Sequence, residues 1–327
     1  MHQKQALRAT PSSAAAIPLR RRAIWYTAAG CMYGFDTRRA RAQDAQLLSP
    51  RLESASLTPL LGGVDSVTGD LRYPPWLAGT WRVTATTAGF QMPLGRRFVD
   101  DALVAEARKD TRVLYEYRFT EAPAPDGWPG LSVRQDRRFN AVNEENAFIS
   151  SGGFRVERGR YTSDGQSPHG RVLLDILDTD VASGLVDKTP STESATYEKR
   201  VMFRFQSELD ILWAAWEEAS DPAGAFVTSE VTVQRQLLPT AGGTASEDVD
   251  TSYLELLTRF ERPASLALSE RPMSVRARYR VTQYLSLPGV PLPTRATRAA
   301  RSLAKQAEDR AVSIIDYDLL MERISDA

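Results

Sequence analysis

Apolar and polar side chains alternate along much of the chain from about residue 80 onwards. Trp81, Val83 and Ala85 alternate with Arg82, Thr84 and Thr86; Val113, Tyr115, Tyr117 and Phe119 alternate with Arg112, Glu116 and Arg118. A period of two is that of a strand with one buried face. Further candidate strands fall at 132–140, 146–156, 171–178, 197–206, 209–217, 226–237, 252–261, 274–286 and 311–322. Strands in such close succession, mostly joined by short turns, predict a mainly β, antiparallel up-and-down meander that closes into a barrel and so removes its exposed edges. One segment departs from the pattern. RATRAARSLAKQAEDR at 295–310 is rich in Ala, Arg, Lys and Glu without Gly or Pro, which predicts a short helix between the last two strands. Its plain reading is a solvated helix against the barrel mouth, and the alternative is a helix that docks a partner.

The breaks between periodic segments are short, such as EAPAPDGWPG at 121–130, SDGQSPHG at 163–170 and PTAGGTASED at 239–248. No internal repeat or long linker divides the chain, so residues 73–327 read as one barrel domain behind a loosely ordered leader at 43–72. Residues 1–42 read as a cleaved targeting presequence. Residues 1–19 carry Lys4 and Arg8, no acidic residue, and the run Ser12-Ser13-Ala14-Ala15-Ala16, the composition of an organellar transit peptide. A second signal follows: Arg20-Arg21-Arg22, the apolar stretch at 23–35, and ARA at 40–42. That stretch is too short for a bilayer span and fits an export signal. The arginines before the apolar run suggest the twin-arginine route. The tandem resembles the bipartite presequence of chloroplast thylakoid-lumen proteins and predicts a mature chain from Gln43; a single mitochondrial presequence or a bacterial export signal is the alternative.

Removing residues 1–42 changes the charge balance. Eight of the 41 basic residues and one of the 41 acidic residues lie there, which leaves 33 against 40, about seven net negative charges. Such a chain is not expected to be a general nucleic-acid binder. No later segment is apolar enough to span a membrane as a helix, so a soluble protein is expected. Cys31, the only cysteine, and His2 leave with the presequence, and His169 is the one imidazole left. A disulfide, a cysteine nucleophile and a zinc–thiolate or multi-histidine metal site are therefore not expected, and no cofactor is implied.

The stretch YPPWLAGTWRVTAT at 73–86 carries Gly79-Thr80-Trp81 at the start of the first strand. Gly-x-Trp in that place resembles the signature of the calycin-type barrels, among them lipocalins, fatty-acid-binding proteins and nitrobindins. The resemblance implies that Gly79 permits a tight approach and that Trp81 plugs the closed end beneath an arginine. A wider resemblance runs in order through MPLG at 92–95, DRRFN at 136–140, FVTSEVTVQRQ at 226–236, VTQYLS at 281–286 and RAVSIIDYDLLMER at 310–323. Together these resemble an uncharacterised domain family of cyanobacterial and plastid proteins with the pattern YPxWxxGTWxVTSTL, PLG and DRAFN. That family's closing strand offers Arg-Tyr-Arg where this chain has Asp316-Tyr317-Asp318. The arginine over Trp81 is therefore expected from the preceding strand, with Arg276, Arg278 and Arg280 as candidates and Arg278 and Arg280 preferred.

Candidate chemistry is sparse. His169 sits in a Ser-Pro-His-Gly turn and reads as an exposed loop residue rather than a catalytic base or haem ligand. On a strand, Asp136, Arg138 and Asn140 point one way and Arg137 and Phe139 the other. Asp136, Arg138 and Asn140 with Tyr115 and Tyr117 are the candidate ligand-binding set, with Arg138 or Arg137 as the cation for a ligand head group, and an inward ion-pair network that fixes register is the structural alternative. Tyr279, Tyr284, Tyr317, Trp213 and Trp216 either line a pocket or fill the core. The pairs Asp175 with Asp178 and Asp316 with Asp318 read as exposed edges rather than acid–base pairs. GGT at 242–244 lies in a polar loop and does not precede a helix, so no phosphate-binding loop is present. Three functions follow as expectations: a non-catalytic lumenal barrel that binds an apolar or amphipathic small molecule such as a pigment, quinone or lipid; an assembly or stability factor that contacts photosynthetic membrane complexes through loops such as 121–130 and 157–200; and a carboxylate-dependent isomerase or cyclase.

Overall fold

The structure, a computed structural model, describes residues 48–53, 70–107, 110–124, 130–149, 154–162, 170–178, 204–218, 225–239, 246–263, 271–288, 292 and 298–325. The expected presequence, His169, the 242–244 loop and most of 157–200 lie outside these residues.

Ten antiparallel strands form a single curled sheet. They are β1 (Gly79–Gln91), β2 (Arg112–Glu121), β3 (Val133–Gln135), β4 (Phe154–Thr162), β5 (Arg171–Asp178), β6 (Arg204–Glu218), β7 (Phe226–Pro239), β8 (Ser246–Glu261), β9 (Ser274–Tyr284) and β10 (Ala311–Ser325). The order is β3-β2-β1-β10-β9-β8-β7-β6-β5-β4, so nearly every strand pairs with its sequence neighbour and the first long strand pairs with the last. This is the up-and-down arrangement that the period-two pattern predicts, and it is calycin-like, as the Gly-x-Trp resemblance implies. Among the described residues four α-helices accompany it: α1 (Leu48–Glu53), α2 (Asp101–Glu106), α3 (Arg137–Ile149) and α4 (Arg298–Ala307). α4 stands between the last two strands as expected, and Ala304 and Ala307 are its buried positions.

Two expected strands are strands only in part, at Val133–Gln135 and from Phe154 onwards. Residues 137–140 and 146–149, expected as strand, belong with the residues between them to α3. Asp136 stands between β3 and α3 and caps the helix: its carboxylate accepts from the Phe139 backbone N–H at 3.1 Å and its carbonyl accepts from the Asn140 N–H at 2.8 Å. The buried positions Arg137, Asn140, Ala141, Glu144, Glu145 and Ile149 recur with helical spacing. Most of them are polar or charged, so the periodicity of hydrophobic residues does not report the helix.

α3 also explains how the barrel is completed. β3 and β4 end the strand order, and α3 connects them, packing on β2 at one side of the seam and on β4 and β5 at the other. At the first side the Asn140 side chain bonds both backbone groups of Arg118 in β2, accepting from N–H at 2.6 Å and donating to the carbonyl at 3.0 Å. At the other, the Asn146 carbonyl accepts from the Val156 N–H of β4 at 2.8 Å. Two side-chain amides six residues apart thus supply hydrogen bonds that a neighbouring strand would have made. Gly159 permits the contact with β4, because a Cβ there would stand 2.6 Å from Val142 Cγ2 of α3.

The sheet has two buried faces. The inner face holds the main core, which includes Trp81, Val83, Phe119, Leu174, Ile211, Phe226, Leu256, Phe260 and Val281. The opposite face of β6 to β10 holds a second cluster with Val227, Val231, Val233, Tyr253, Leu257, Tyr284 and Ile314. Part of the expected loose leader covers that second face: Leu48 and Leu52, one helical turn apart on α1, are buried in the same cluster. Glu217 accepts from the backbone N–H groups of Leu48 and Ser49 at 2.6 and 2.7 Å, and Arg51 forms a buried ion pair with Glu255 at 2.7 Å.

Candidate functional site

The closed end is built from the 70–81 segment. Pro75–Leu77 makes one turn of 3-10 helix, after which Gly79 adopts φ 123°, a conformation that glycine tolerates far better than other residues. Trp81 is fully buried and donates from its indole nitrogen to the Leu77 carbonyl at 2.8 Å. Tyr73 is equally buried and packs against Phe119, Phe226 and Phe260 with ring centroids 5.0, 5.8 and 6.1 Å away.

The arginine over Trp81 is Arg323. Its guanidinium carbon lies 4.3 Å from the indole ring. It donates to the carbonyls of Ala78, Trp76 and Pro272, the last two at 3.0 Å. Arg278 and Arg280 do not take this place. Arg280 lies on the opposite face, bound to Asp316 at 2.7 Å and to the Arg51 carbonyl at 2.7 Å, and Arg278 stands across from Asp318 on β10. The closing strand does supply the arginine, beyond the Asp316-Tyr317-Asp318 stretch.

Inside the barrel a cavity of about 80 Å³ remains. Tyr115 and Tyr117 of β2, Arg137 and Glu144 of α3, Glu230 of β7 and Tyr279 of β9 line it, with apolar walls that include Val83, Leu256 and Met321. The seam helix therefore brings two of the charged groups inside. Arg137 donates from Nε to Asp70 at 2.9 Å and from its terminal nitrogens to Glu230 at 2.7 and 3.3 Å, so its donors are directed at two carboxylates.

Glu144 has no such partner. No hydrogen bond reaches its carboxyl group from the described residues. Burial, with a further contribution from the Glu230 charge, raises its pKa from the ordinary 4.5 to about 8, so it is mainly protonated at neutral pH. Glu145, beside it on α3, is 0% exposed and neither of its carboxyl oxygens has a hydrogen-bond partner. Burial, then the proximity of Glu144, pushes its pKa well up. Tyr115, Tyr117 and Tyr279 are also raised, mainly by burial, and Glu144 contributes to each.

Of the expected ligand set, Tyr115, Tyr117 and Asn140 line the cavity. Asn140 is committed to the Arg118 backbone. Asp136 is the cap of α3 and faces Arg118 at 3.5 Å, and Arg138 is exposed on the outside of the helix. Strand alternation put Arg137 and Arg138 on opposite faces and left either as the inward cation; the helix turns Arg137 inward and leaves Arg138 exposed. Tyr279 lines the cavity, Tyr317 stacks on it at 5.9 Å and Trp216 stacks on Phe226. Tyr284 and Trp213 belong to the second face, where Tyr284 donates to Glu255 at 2.8 Å. Asp316 is likewise occupied, by Arg280. Sequence reasoning missed Glu144, Glu145 and Glu230; a helical reading of 137–149 would have put the first two on the same buried stripe as Arg137 and Asn140.

Among the described residues no group of three or more His, Cys, Asp or Glu side chains is placed to hold a metal ion, and no helix is long and apolar enough to cross a membrane. Residues 65–168, which run through β1, β2, β3, α3 and β4, match the family model of a domain of unknown function, DUF6816. The sequence resemblance to an uncharacterised family thus meets a match over the part of the chain that carries GTW and DRRFN. No curated protein and no solved structure matches the chain.

Proposed function

We propose that this chain is a non-catalytic binding protein of the chloroplast thylakoid lumen whose barrel interior holds a small amphipathic molecule. The observation that carries the reading is the cavity between α3 and the inner sheet face. It joins apolar walls to an unpartnered carboxyl group and three tyrosines, the mixture of apolar surface and a few polar groups that small-molecule sites share. The volume suits a compact molecule or the head group of a larger one, rather than an entire pigment. The lumenal assignment rests on the tandem signals in residues 1–42. Native mass spectrometry of the protein from its own tissue tests both parts. A protein that starts at Gln43 and carries an added small-molecule mass is expected, whereas a bare chain removes the binding reading and a start upstream of Arg20 removes the lumenal one.

The carboxylates favour one second reading, a carboxylate-dependent isomerase or cyclase. Glu144 and Glu230 line one cavity, one held mainly protonated by burial and the other paired with Arg137, a division of states that acid–base chemistry uses. Conversion of the recovered ligand by the wild-type protein, but not by a Glu144→Gln variant, would replace the binding reading with this one.

A further inference from the structure

The barrel interior is short of positive charge. Arg137 is the one cation lining the cavity among the described residues, and its donors are already directed at Asp70 and Glu230. Glu144 remains on the cavity wall, 5% exposed and without a hydrogen bond from the described residues, and beside it on α3 Glu145 is buried with neither oxygen partnered among them. A buried carboxyl group that lacks a counter-charge costs free energy if it ionises and forfeits its hydrogen bonds if it does not. Around it stand the rings of Tyr115, Tyr117 and Tyr279, and Tyr115 and Tyr117 meet edge to face at 6.5 Å. Aromatic faces beside a carboxylate are the surroundings that favour an organic ammonium group.

We propose that the cavity selects a small organic cation, an amphipathic amine whose ammonium group pairs with Glu144 while its carbon skeleton lies against the tyrosine rings and the apolar walls. The inference rests on the binding function proposed above and names its ligand class. By size, about 80 Å³ admits roughly six water-sized heavy atoms.

Binding then carries a pH signature. The charged and titratable groups around Glu144 are Glu145 and Arg137 on α3, Glu230 on β7, Tyr115 and Tyr117 on β2, Tyr279 on β9, Tyr317 on β10, and Asp70 and Tyr73 ahead of β1. Tyr73, Tyr115, Tyr117 and Tyr279 are raised above their ordinary value of 10 and stay neutral between pH 6 and pH 8. Glu144 has a folded-state pKa of about 8 when the cavity holds no cation. A cation that pairs with its ionised form therefore displaces one proton below that pH, and its affinity rises on the order of fiftyfold from pH 6 to pH 8.

Calorimetric titration of the full chain with n-butylammonium, 1-butanol and butyrate tests this, because the three probes share a size and differ in charge. Butylammonium is expected to bind best, to release close to one proton at pH 6 as read from the buffer dependence of the heat, and to lose tenfold or more of its affinity in Glu144→Gln. The amide replaces the neutral carboxyl group with a group of the same shape, and circular dichroism shows whether the variant is folded. If 1-butanol or butyrate binds as well as butylammonium, if the affinity is flat in pH, or if folded Glu144→Gln binds like wild type, cation selection by Glu144 is overturned while a binding cavity survives. If none of the three probes binds, the cavity reading falls with it.

Discussion

Arg323 and Trp81 are direct register partners on β10 and β1, and the arginine covers the indole from 4.3 Å while its nitrogens reach the carbonyls of Trp76, Ala78 and Pro272. One side chain thereby ties the last strand to the turn that leads into the first. Arg323→Met keeps much of the apolar stem and removes the charge and all three donors. A loss of about 2–3 kcal/mol in chemical denaturation is expected from the cation–π contact and the charged hydrogen bonds together. Lys305→Ala, at an exposed position of α4, is the control and should stay within about 0.5 kcal/mol of wild type. Equal effects from the two would show that Arg323 does not hold the closure.

The barrel was legible in the sequence and its seam was not. Alternation of apolar and polar side chains reports a strand whenever one face is dry, which located the greater part of β1, β2 and β5 to β10. It fails at residues 137–149 because four of the six inward positions there are Arg137, Asn140, Glu144 and Glu145, so Ala141 and Ile149 alone do not make a recognisable apolar face. The same feature hid the site, since the polar groups that line the cavity come from that helix as well as from the sheet. Arg323 was missed for a different reason: only the register of β10 against β1 decides which arginine meets Trp81, and register depends on bulges, here between Thr80 and Trp81 and between Thr87 and Gly89, that no local pattern announces.

Asn140 and Asn146 should act as substitutes for strand pairing at the two sides of the seam. Asn140→Ala leaves the Arg118 N–H without its bond, and Asn146→Ala does the same for Val156. Each change should cost about 1–3 kcal/mol, the range for a buried backbone group left unsatisfied. Amide hydrogen exchange gives the specific readout: protection should fall at Arg118 in the first variant and at Val156 in the second. Loss spread evenly over the whole sheet would mean that these amides stabilise the domain without any particular role at the seam.

Gly159 and Val142 should be coupled. A methyl group at 159 would overlap Val142 Cγ2 of α3 and would also lie 3.4 Å from Leu174 of β5, so the space between helix and sheet is already filled. Gly159→Ala is expected to destabilise by about 1–3 kcal/mol, the usual cost of overpacking. Val142→Ala makes space, so the double variant should recover at least about 1 kcal/mol relative to additivity of the single changes. Strict additivity would show that α3 does not pack on β4 through this pair.

Glu144 should make stability depend on pH in a direction opposite to that of an ordinary paired carboxylate. Its pKa is about 8 in the folded chain against 4.5 in water, so below pH 4.5 both states hold the proton and the group contributes nothing. Between pH 4.5 and pH 8 the unfolded chain loses the proton while the folded chain keeps it, and stability falls as pH rises; above pH 8 the penalty is complete, at several kcal/mol by order of magnitude. Glu144→Gln removes the titration. Its stability should match that of wild type near pH 4, exceed it increasingly up to pH 8, and keep a constant margin beyond, as read from urea denaturation at each pH. A margin already present at pH 4 would point to altered packing, and no margin at pH 9 would show that the folded protein already supplies Glu144 with a counter-charge.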